Sequence, residues 1–367
     1  MSVFLNSFIA PLRPWLERSD VSDILVNRAG EVWVETLGGA MERLDAPELT
    51  EQTLTRLARQ IAGASHQGVS REHPLLTAAL ADGARVQIIT PPATRSGVAM
   101  AVRKHTQSGL SLSDMGRAGA FNRVGSRADR CNARASLRAL IDRDDIEGAL
   151  RAAVRARMTV VISGGTASGK TTLMNALMQE ISPRERIITI EDAPELRISH
   201  ANCVSLIAVR GVMGETRVSE EDLLQGALRL RPDRILLGEL RGPEAFTFLR
   251  AVNTGHPGSI TTIHADSPPG AIDQIVMMSL LSGVNLDWTS ARAYALNTID
   301  VIVQMRRDEG GRGVSDIQVL RRAGDAPPPP PLGGLPQGEV PAKPGKGADW
   351  ASPPASRLDL SLLRPEV

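Results

Sequence analysis

The chain has 367 residues, which is enough for two domains that each bury a complete hydrophobic core. Its formal net charge is +1, so its overall charge does not attract nucleic acid, and any site for a polyanion must be a local patch. Cys131 and Cys203 lack the spacing of a disulfide pair and suit a reducing cytosol, and no apolar run is long enough to cross a bilayer.

The first part of the chain, residues 1–105, is predicted to form a small α+β domain. Val3–Ile9 is apolar but has no basic flank, and prolines follow it closely. It is therefore interpreted as a short helix packed on this domain rather than as a signal peptide or a membrane contact. The spacing of apolar residues predicts strands Val21–Val26, Glu31–Thr36, Val86–Thr90 and Val98–Val102 and a helix at Thr50–Ala62.

Residues 106–145 are predicted to be a junction, because a Gly/Ser-rich stretch there gives way to a run of arginines. Such a run is typical of a solvated surface; the alternative, a basic strip for nucleic acid, is weakened by the near absence of aromatic residues. Residues 323–367 hold eleven of the 24 prolines, five of them consecutive at 327–331. This tail is expected to be disordered or to form polyproline II helix outside both domains.

Residues 146–322 alternate apolar strands with helical segments, a pattern typical of a parallel sheet with helices on both faces. Ser219 is predicted to cap a helix that ends at Leu230, and Pro243 is predicted to occupy the first position of another. The predicted strands are 158–163, 186–191, 203–209, 234–238 and 258–263, followed by a hairpin of Val301–Met305 and Val314–Leu320. The predicted fold class is therefore α/β, with a nucleotide domain that follows a smaller α+β domain.

The stretch MTVVISGGTASGKTT at 158–172 runs from a buried strand through a glycine loop into a helix. Its second half matches G-x-x-x-x-G-K-[ST], the pattern in which backbone N–H groups and a helix N-terminus surround a phosphate. Lys170 is expected to face solvent and to reach the β- and γ-phosphates, and the Thr171 hydroxyl is expected to bind Mg²⁺. The predicted nucleotide-binding residues of this loop are Gly164, Gly165, Thr166, Ala167, Ser168, Gly169, Lys170, Thr171 and Thr172.

Three further chemical groups come where apolar strands end, namely Glu191, Glu239 and His264. Because the carboxyl ends of parallel strands lie on one edge of a sheet, these side chains are expected to meet at the phosphate loop. One carboxylate would hold the water shell of Mg²⁺, the other would activate the attacking water, and the histidine would sense the γ-phosphate. Either glutamate could take either role. The predicted catalytic residues are Lys170, Glu191, Glu239 and His264, and the predicted metal ligands are Thr171 and Glu239.

Four segments resemble, in order, the Walker A, Asp box, Walker B and His box of the secretion and conjugation traffic ATPases, the hexameric motors of type IV and type II secretion. They are GGTASGKTT (164–172), ITIEDAPEL (188–196), LRLRPDRILLGELRGPEA (228–245) and GHPGSITTIHADSP (255–268). In the first domain, VNRAGEVWVE and DGARVQIITPP resemble the type IV and conjugative branch. The likeness covers about residues 15–322. It implies a RecA-like P-loop domain that binds ATP and Mg²⁺ against its N-terminal partner.

The resemblance also implies roles for four arginines. Arg85 and Arg103 match N-terminal arginines that reach the nucleotide phosphates, and neither is expected to have an acidic partner across its strand. Arg229 and Arg231 match arginines near the subunit interface. The implied protein is a hexameric ATPase that powers type IV secretion or conjugative DNA transfer. It would be cytoplasmic, bound peripherally to inner-membrane components, with weak contact to the membrane surface or to nucleic acid as a further option.

Ala167 departs from the family pattern, in which this position is glycine, and alanine is expected to be tolerated only with a negative φ. Two other functions fit the same motifs. One is a nucleic-acid translocase that uses the junction arginines as its track, which DNA-stimulated, salt-sensitive turnover would favour. The other is a nucleotide-gated scaffold with negligible turnover, which binding without hydrolysis would favour.

Overall fold

The computed structural model describes residues 9–37, 41–104, 111–117, 119, 121–122, 127–209 and 216–320, which lie in one compact unit. These residues form two β-sheets and their covering helices, so the α/β fold class is confirmed. Most of Val3–Ile9 and the whole proline-rich tail lie outside the described residues, and what the sequence predicts for them stays a prediction.

The first sheet is antiparallel and six-stranded, in the order β3-β2-β1-β6-β5-β4. A short helix, α1 (Arg13–Leu16), precedes it, and the helix α2 (Glu51–Ala64) covers it. The Thr50 side chain caps α2, and the buried face of α2 packs into the core of this sheet. The strands are β1 (Val21–Val26), β2 (Gly30–Thr36), β3 (Met41–Ala46), β4 (Leu75–Ala79), β5 (Arg85–Ile89) and β6 (Ala99–Arg103).

The second sheet has seven strands in the order β13-β12-β7-β11-β10-β8-β9, and every pair is parallel except β12–β13. Every residue of β7 and β8 is buried, because helices cover both faces of the sheet. The strands are β7 (Val160–Gly164), β8 (Ile187–Glu191), β9 (Cys203–Ile207), β10 (Arg234–Leu237), β11 (Ile260–Ile263), β12 (Val301–Asp308) and β13 (Gly311–Val319). The helices are α3 (Leu112–Arg117), α4 (Arg127–Ile141), α5 (Ile146–Arg155), α6 (Lys170–Gln179), α7 (Glu220–Ala227), α8 (Glu244–Asn253), α9 (Pro268–Leu280) and α10 (Trp288–Thr298).

Several details differ from the sequence-based expectations. The strands β3 and β4 were not predicted, since β3 exposes most of its polar side chains and β4 is a short run with little β-branching. Helix α7 begins after Ser219, as predicted, but ends at Ala227 rather than Leu230. Pro243 is the N-cap of α8 rather than its first helical residue.

The arginine-rich junction contributes to the core, which corrects its interpretation as a solvated surface. Arg134 on α4 is buried and forms an ion pair with Asp300, which precedes β12 and also accepts the Thr159 N–H at 2.9 Å. Arg138 donates to the carbonyls of Val319 and Leu320. These two arginines therefore bind α4 to the second sheet.

A buried guanidinium joins the two sheets. Arg186, which is fully buried just before β8, donates to Asn27 Oδ1 at 2.5 Å, to Asn202 Oδ1 at 2.7 Å and to the Leu230 carbonyl at 2.9 Å. Asn27 belongs to the turn after β1, so this contact links the first sheet to the second. Burial lowers the pKa of Arg186 to about 10, which leaves it charged at neutral pH. A buried charge of this kind depends on its acceptors.

Removing one of these acceptors should weaken the fold. Asn27→Ala is expected to lower the free energy of unfolding by about 1–3 kcal/mol, because a buried donor loses its partner. Urea denaturation measures this change. The control is Asn285→Ala at an exposed loop position, expected to stay within about 0.5 kcal/mol of wild type. Equal stability of Asn27→Ala and wild type would contradict a structural role for this contact.

Candidate nucleotide-binding site

The glycine loop connects the carboxyl end of β7 to the first turn of α6, whose N-terminus points its free N–H groups into a cleft. Gly164 must be glycine, because a Cβ there would lie 2.6 Å from the Met305 carbonyl oxygen. Gly169, the N-cap of α6, has a φ of 100°. The loop therefore has the strand, turn and helix geometry that binds phosphate.

Ala167 adopts a left-handed conformation with a φ of 59°. The expectation that this alanine would keep a negative φ is therefore wrong. The alanine Cβ therefore carries a strain of roughly 1–2 kcal/mol.

A cleft of about 290 Å³ lies beside this loop and contains the predicted site residues from four strand ends. Its lining includes Lys170, Thr171, Glu191, Glu239 and His264, together with Thr166 and Ala167. Gly165, Thr166 and Ser168 also border a neighbouring groove under the β12–β13 hairpin, and Thr172 is exposed on α6. The parallel sheet thus brings one loop, two carboxylates and a histidine to the same edge.

Lys170 is only 8% exposed, so the expectation that it faces solvent is wrong. Its Nζ donates to the carbonyls of Gly164 at 2.9 Å and Gly165 at 3.1 Å and lies 3.4 Å from His264 Nδ1. Burial lowers the pKa of Lys170. A phosphate in the cleft would compete with these carbonyls for the ammonium group.

Glu239 belongs to a chain of charged contacts across the cleft. One of its oxygens lies 2.6 Å from His264 Nε2, and the other accepts from Arg241. Arg241 in turn donates to Asp192 Oδ2 at 2.5 Å. Sequence reasoning missed Arg241, although its place two residues after a strand-terminal glutamate was a usable signal.

Glu191 is buried and differs from Glu239 in its contacts. Its Oε1 accepts the backbone N–H groups of Glu195 at 2.8 Å and Leu196 at 2.7 Å. Its Oε2 has no hydrogen-bond partner in the part of the chain that the structure describes. Burial is the main cause that raises the pKa of Glu191. One carboxylate oxygen is therefore held in place, while the other is buried without a donor among the described residues.

Arg85 and Arg103 do not line the cleft beside the glycine loop. They lie opposite each other on β5 and β6 and border a separate cleft of about 220 Å³ with Arg229 and Arg231. Asp23 lies directly across from Arg103 on β1, so the expectation of no acidic cross-strand neighbour is wrong for Arg103. Arg85 lies across from Ala79 and Arg103.

The two clefts lie at opposite edges of the second sheet. Arg229 and Arg231 precede β10, whereas Glu239 follows it. Arg231 forms an ion pair with Glu35 of the first sheet and donates to Asp233 at 2.8 Å. Arg229, just after α7, is exposed and donates to the Gln225 carbonyl of that helix. In this conformation the N-terminal arginines and the phosphate loop of one chain therefore lie in different clefts.

A glycine loop, two acidic strand ends and a histidine meet at the carboxyl edge of a parallel sheet, which is the arrangement of a RecA-like P-loop domain. The chain belongs to the family described as Type II/IV secretion system protein, which matches residues 8–304. No helix within the described ranges has the length and apolarity needed to cross a membrane.

Individual relatives agree with this membership. The chain is 36% identical to the type IV secretion system protein VirB11 of Bartonella quintana over 324 residues, 84% of this chain and 91% of that protein. It is 40% identical to PtlH of Bordetella pertussis over 312 residues, 82% and 89% of the two chains. The crystal structure of the VirB11 ATPase from Brucella suis, in complex with sulphate, has a TM-score of 0.79 and 35% identity and covers 86% of this chain and 94% of that chain.

The strain at Ala167 predicts a stabilising substitution. Ala167→Gly should raise the free energy of unfolding by up to about 1 kcal/mol, because relief of the left-handed strain exceeds the added entropy of the unfolded chain. Denaturant titration measures the difference. Ala156→Gly, at an exposed position with a φ of −76°, should have the opposite sign. A loss of stability in Ala167→Gly would show that the loop is not strained there.

The raised pKa of Glu191 predicts a pH-dependent difference between wild type and Glu191→Gln. A carboxyl group whose pKa is raised by folding favours the folded state below its ordinary pKa of 4.5 and loses that contribution as pH rises through its folded pKa. The glutamine variant cannot ionise, so its stability relative to wild type should increase as pH rises above about 4.5. Thermal unfolding from pH 4 to 8 measures this; a constant difference would contradict it.

Proposed function

We propose that this chain is a hexameric motor that hydrolyses ATP to drive type IV secretion or conjugative transfer from the cytoplasmic face of the inner membrane. The observation that carries the proposal is the cleft in which Lys170, Thr171, Glu191, Glu239 and His264 meet, in a member of the secretion ATPase family. The names of the VirB11 and PtlH relatives support the secretion role.

Phosphate binding is proposed to use the loop N–H groups and Lys170. The ammonium group would exchange its Gly164 and Gly165 carbonyl acceptors for β- and γ-phosphate oxygens, which carry more negative charge. His264 lies between Lys170 and Glu239, so its ring would sense a change in either contact. These groups fix the triphosphate in the cleft before any bond breaks.

Glu191 is proposed as the residue that activates water. Its Oε2 has no donor among the described residues, and its raised pKa makes it a stronger base than a solvated carboxylate. Water held by Glu191 would attack the γ-phosphorus as the bond to the β–γ bridging oxygen breaks, and Glu191 would take the proton released. Glu239 differs in its neighbours: its Oε2 accepts from Arg241, and its Oε1, which also lacks a hydrogen-bond partner among the described residues, lies 2.6 Å from His264 Nε2. These charged neighbours suit a positioning role rather than proton transfer.

The cleft also fits Mg²⁺. Thr171 offers a hydroxyl, and Glu239, the second predicted metal group, lines the same cleft and would hold the water shell of the ion. No cluster of three metal-binding side chains occurs among the described residues, and none is needed, because Mg²⁺ bound with a nucleotide takes one or two protein groups and phosphate oxygens. When bound, it would neutralise charge on the β- and γ-phosphates.

Arg85 and Arg103 are proposed to act on the nucleotide of a neighbouring copy. They lie at the amino edge of the second sheet, and the glycine loop lies at the carboxyl edge, so one chain cannot place both at one phosphate in this conformation. A head-to-tail interface would oppose the two clefts of successive subunits, and such interfaces close into rings. The two like charges face each other across β5 and β6, which favours an anionic partner.

The nucleic-acid translocase is not supported as a second candidate. Arg134 and Arg138, two of the arginines that would form its track, are used inside the fold. ATP turnover that DNA stimulates and salt inhibits would be evidence for the translocase.

Lys170→Ala tests the ATPase proposal. Hydrolysis should fall at least about 100-fold, because the transferring phosphate loses its main cationic donor. Steady-state phosphate release measures this, with circular dichroism to check the fold. The control is Lys104→Ala, which removes an ammonium bound to the Arg18 carbonyl in the first domain and should retain turnover. Wild-type protein that binds ATP without releasing phosphate would favour the scaffold.

Mixing inactive variants tests the arrangement of subunits. If Arg85 acts on a neighbour, Lys170→Ala and Arg85→Ala should each be inactive alone. In rings that assemble at random from the two variants, about a quarter of the interfaces should combine an intact loop with an intact arginine. Those sites should regain activity. Phosphate release after co-refolding measures this. Continued inactivity of a mixture shown by mass spectrometry to contain both chains would place Arg85 in its own chain's site.

A further inference from the structure

The Thr171 hydroxyl has an acceptor that none of the predicted roles includes. Its Oγ1 donates to Oε2 of Glu195 at 3.0 Å. Glu195 lies in the turn that follows β8, four residues after Glu191. The contact therefore joins the first turn of α6 to the turn that carries Glu191.

Hydrogen bonds hold the backbone of this turn at several points, and the exposed Glu195 side chain extends from that fixed backbone to Thr171. The Glu195 N–H is bound by Glu191 Oε1 at 2.8 Å. Asn175 on α6 accepts the Arg197 N–H at 2.7 Å and donates to the Glu195 carbonyl at 3.4 Å. These bonds hold the backbone of Glu195 against α6, the helix that carries Thr171.

The strand where a P-loop ATPase commonly carries a metal-binding aspartate does not supply one here. Leu237 ends β10 and is followed by Gly238 and Glu239, and Glu239 is occupied by Arg241 and His264. Asp233 precedes β10 and lies at the other edge of the sheet. Among the described residues, the carboxylate in contact with Thr171 is Glu195.

We propose that Glu195 is the positioning residue that orients the Thr171 hydroxyl toward Mg²⁺. A hydroxyl has one proton and two lone pairs, so donation to Glu195 commits the proton and leaves both lone pairs for a cation. The negative charge on Glu195 also makes the hydroxyl oxygen a better ligand. The inference rests on the proposed nucleotide function.

The test is a Mg²⁺ titration of the full chain with a fluorescent ADP analogue, which reads metal binding without turnover. Glu195→Ala should raise the half-saturating Mg²⁺ concentration about 10–100-fold, the usual effect of losing a residue that orients a metal ligand. Glu195→Gln should have a smaller effect, because its amide oxygen still accepts from Thr171. Nucleotide affinity in EDTA should stay unchanged in both variants.

The matched control is Asp192→Asn, which removes one negative charge from the same cleft without touching Thr171. An equal shift in Asp192→Asn and Glu195→Ala would mean that charge alone matters and would overturn the proposal. An unchanged half-saturating Mg²⁺ concentration in Glu195→Ala would also overturn the proposal.

A double-mutant cycle gives an independent check. Adding Glu195→Ala to Thr171→Val should cause little further loss of Mg²⁺ binding, because Glu195 acts through the hydroxyl already removed. Additive losses would overturn the proposal. Wild-type protein that binds the ADP analogue neither with nor without Mg²⁺ would refute the nucleotide function itself, which distinguishes that failure from the failure of Glu195 alone.

Discussion

The hydrogen-bond ladders on both sides of β7 determine where the groups of the cleft lie. On one side Ser163 pairs with Ile263, which places His264 next to the glycine loop. On the other side Gly164 pairs with Met305, whose carbonyl oxygen leaves no room for a Cβ at Gly164. The register of one buried strand therefore determines where the loop and His264 lie and why position 164 must be glycine.

The first sheet is attached to the second by polar contacts at more than one place. Arg186 and Arg231 bind residues of the first sheet at the amino edge. Elsewhere, Arg95 donates to the Leu196 carbonyl at 3.2 Å, and the Leu196 N–H is bound by Glu191. Two hydrogen bonds thus connect a loop of the first domain to a carboxylate of the cleft, so movement of that domain would act directly on Glu191.

The strongly apolar elements of the second sheet could be predicted from sequence, because strands buried on both faces appear as continuous β-branched runs. The meeting of Lys170, Glu191, Glu239 and His264 followed from the same pattern, since strand ends share an edge. The partners of these residues could not be predicted: Arg241 and Glu195 reach the cleft through turn geometry that spacing does not encode. The cross-strand pairing of Asp23 with Arg103 was missed because the register between β1 and β6 depends on long-range packing. Ala167 adopts a left-handed conformation, so the geometry of the loop outweighs the preference of alanine for a negative φ.

The internal acceptors of Lys170 bear on how long a product would stay bound in the proposed motor. When a phosphate departs, the ammonium can return to the carbonyls of Gly164 and Gly165, so no buried charge is left without a partner. This return lowers the free energy of the dissociated state and with it the barrier to leaving the cleft. In the proposed motor, the dwell time of ADP would therefore depend in part on two carbonyls of the loop that binds it, because a loop that provides acceptors for its own lysine favours release of the nucleotide over its retention.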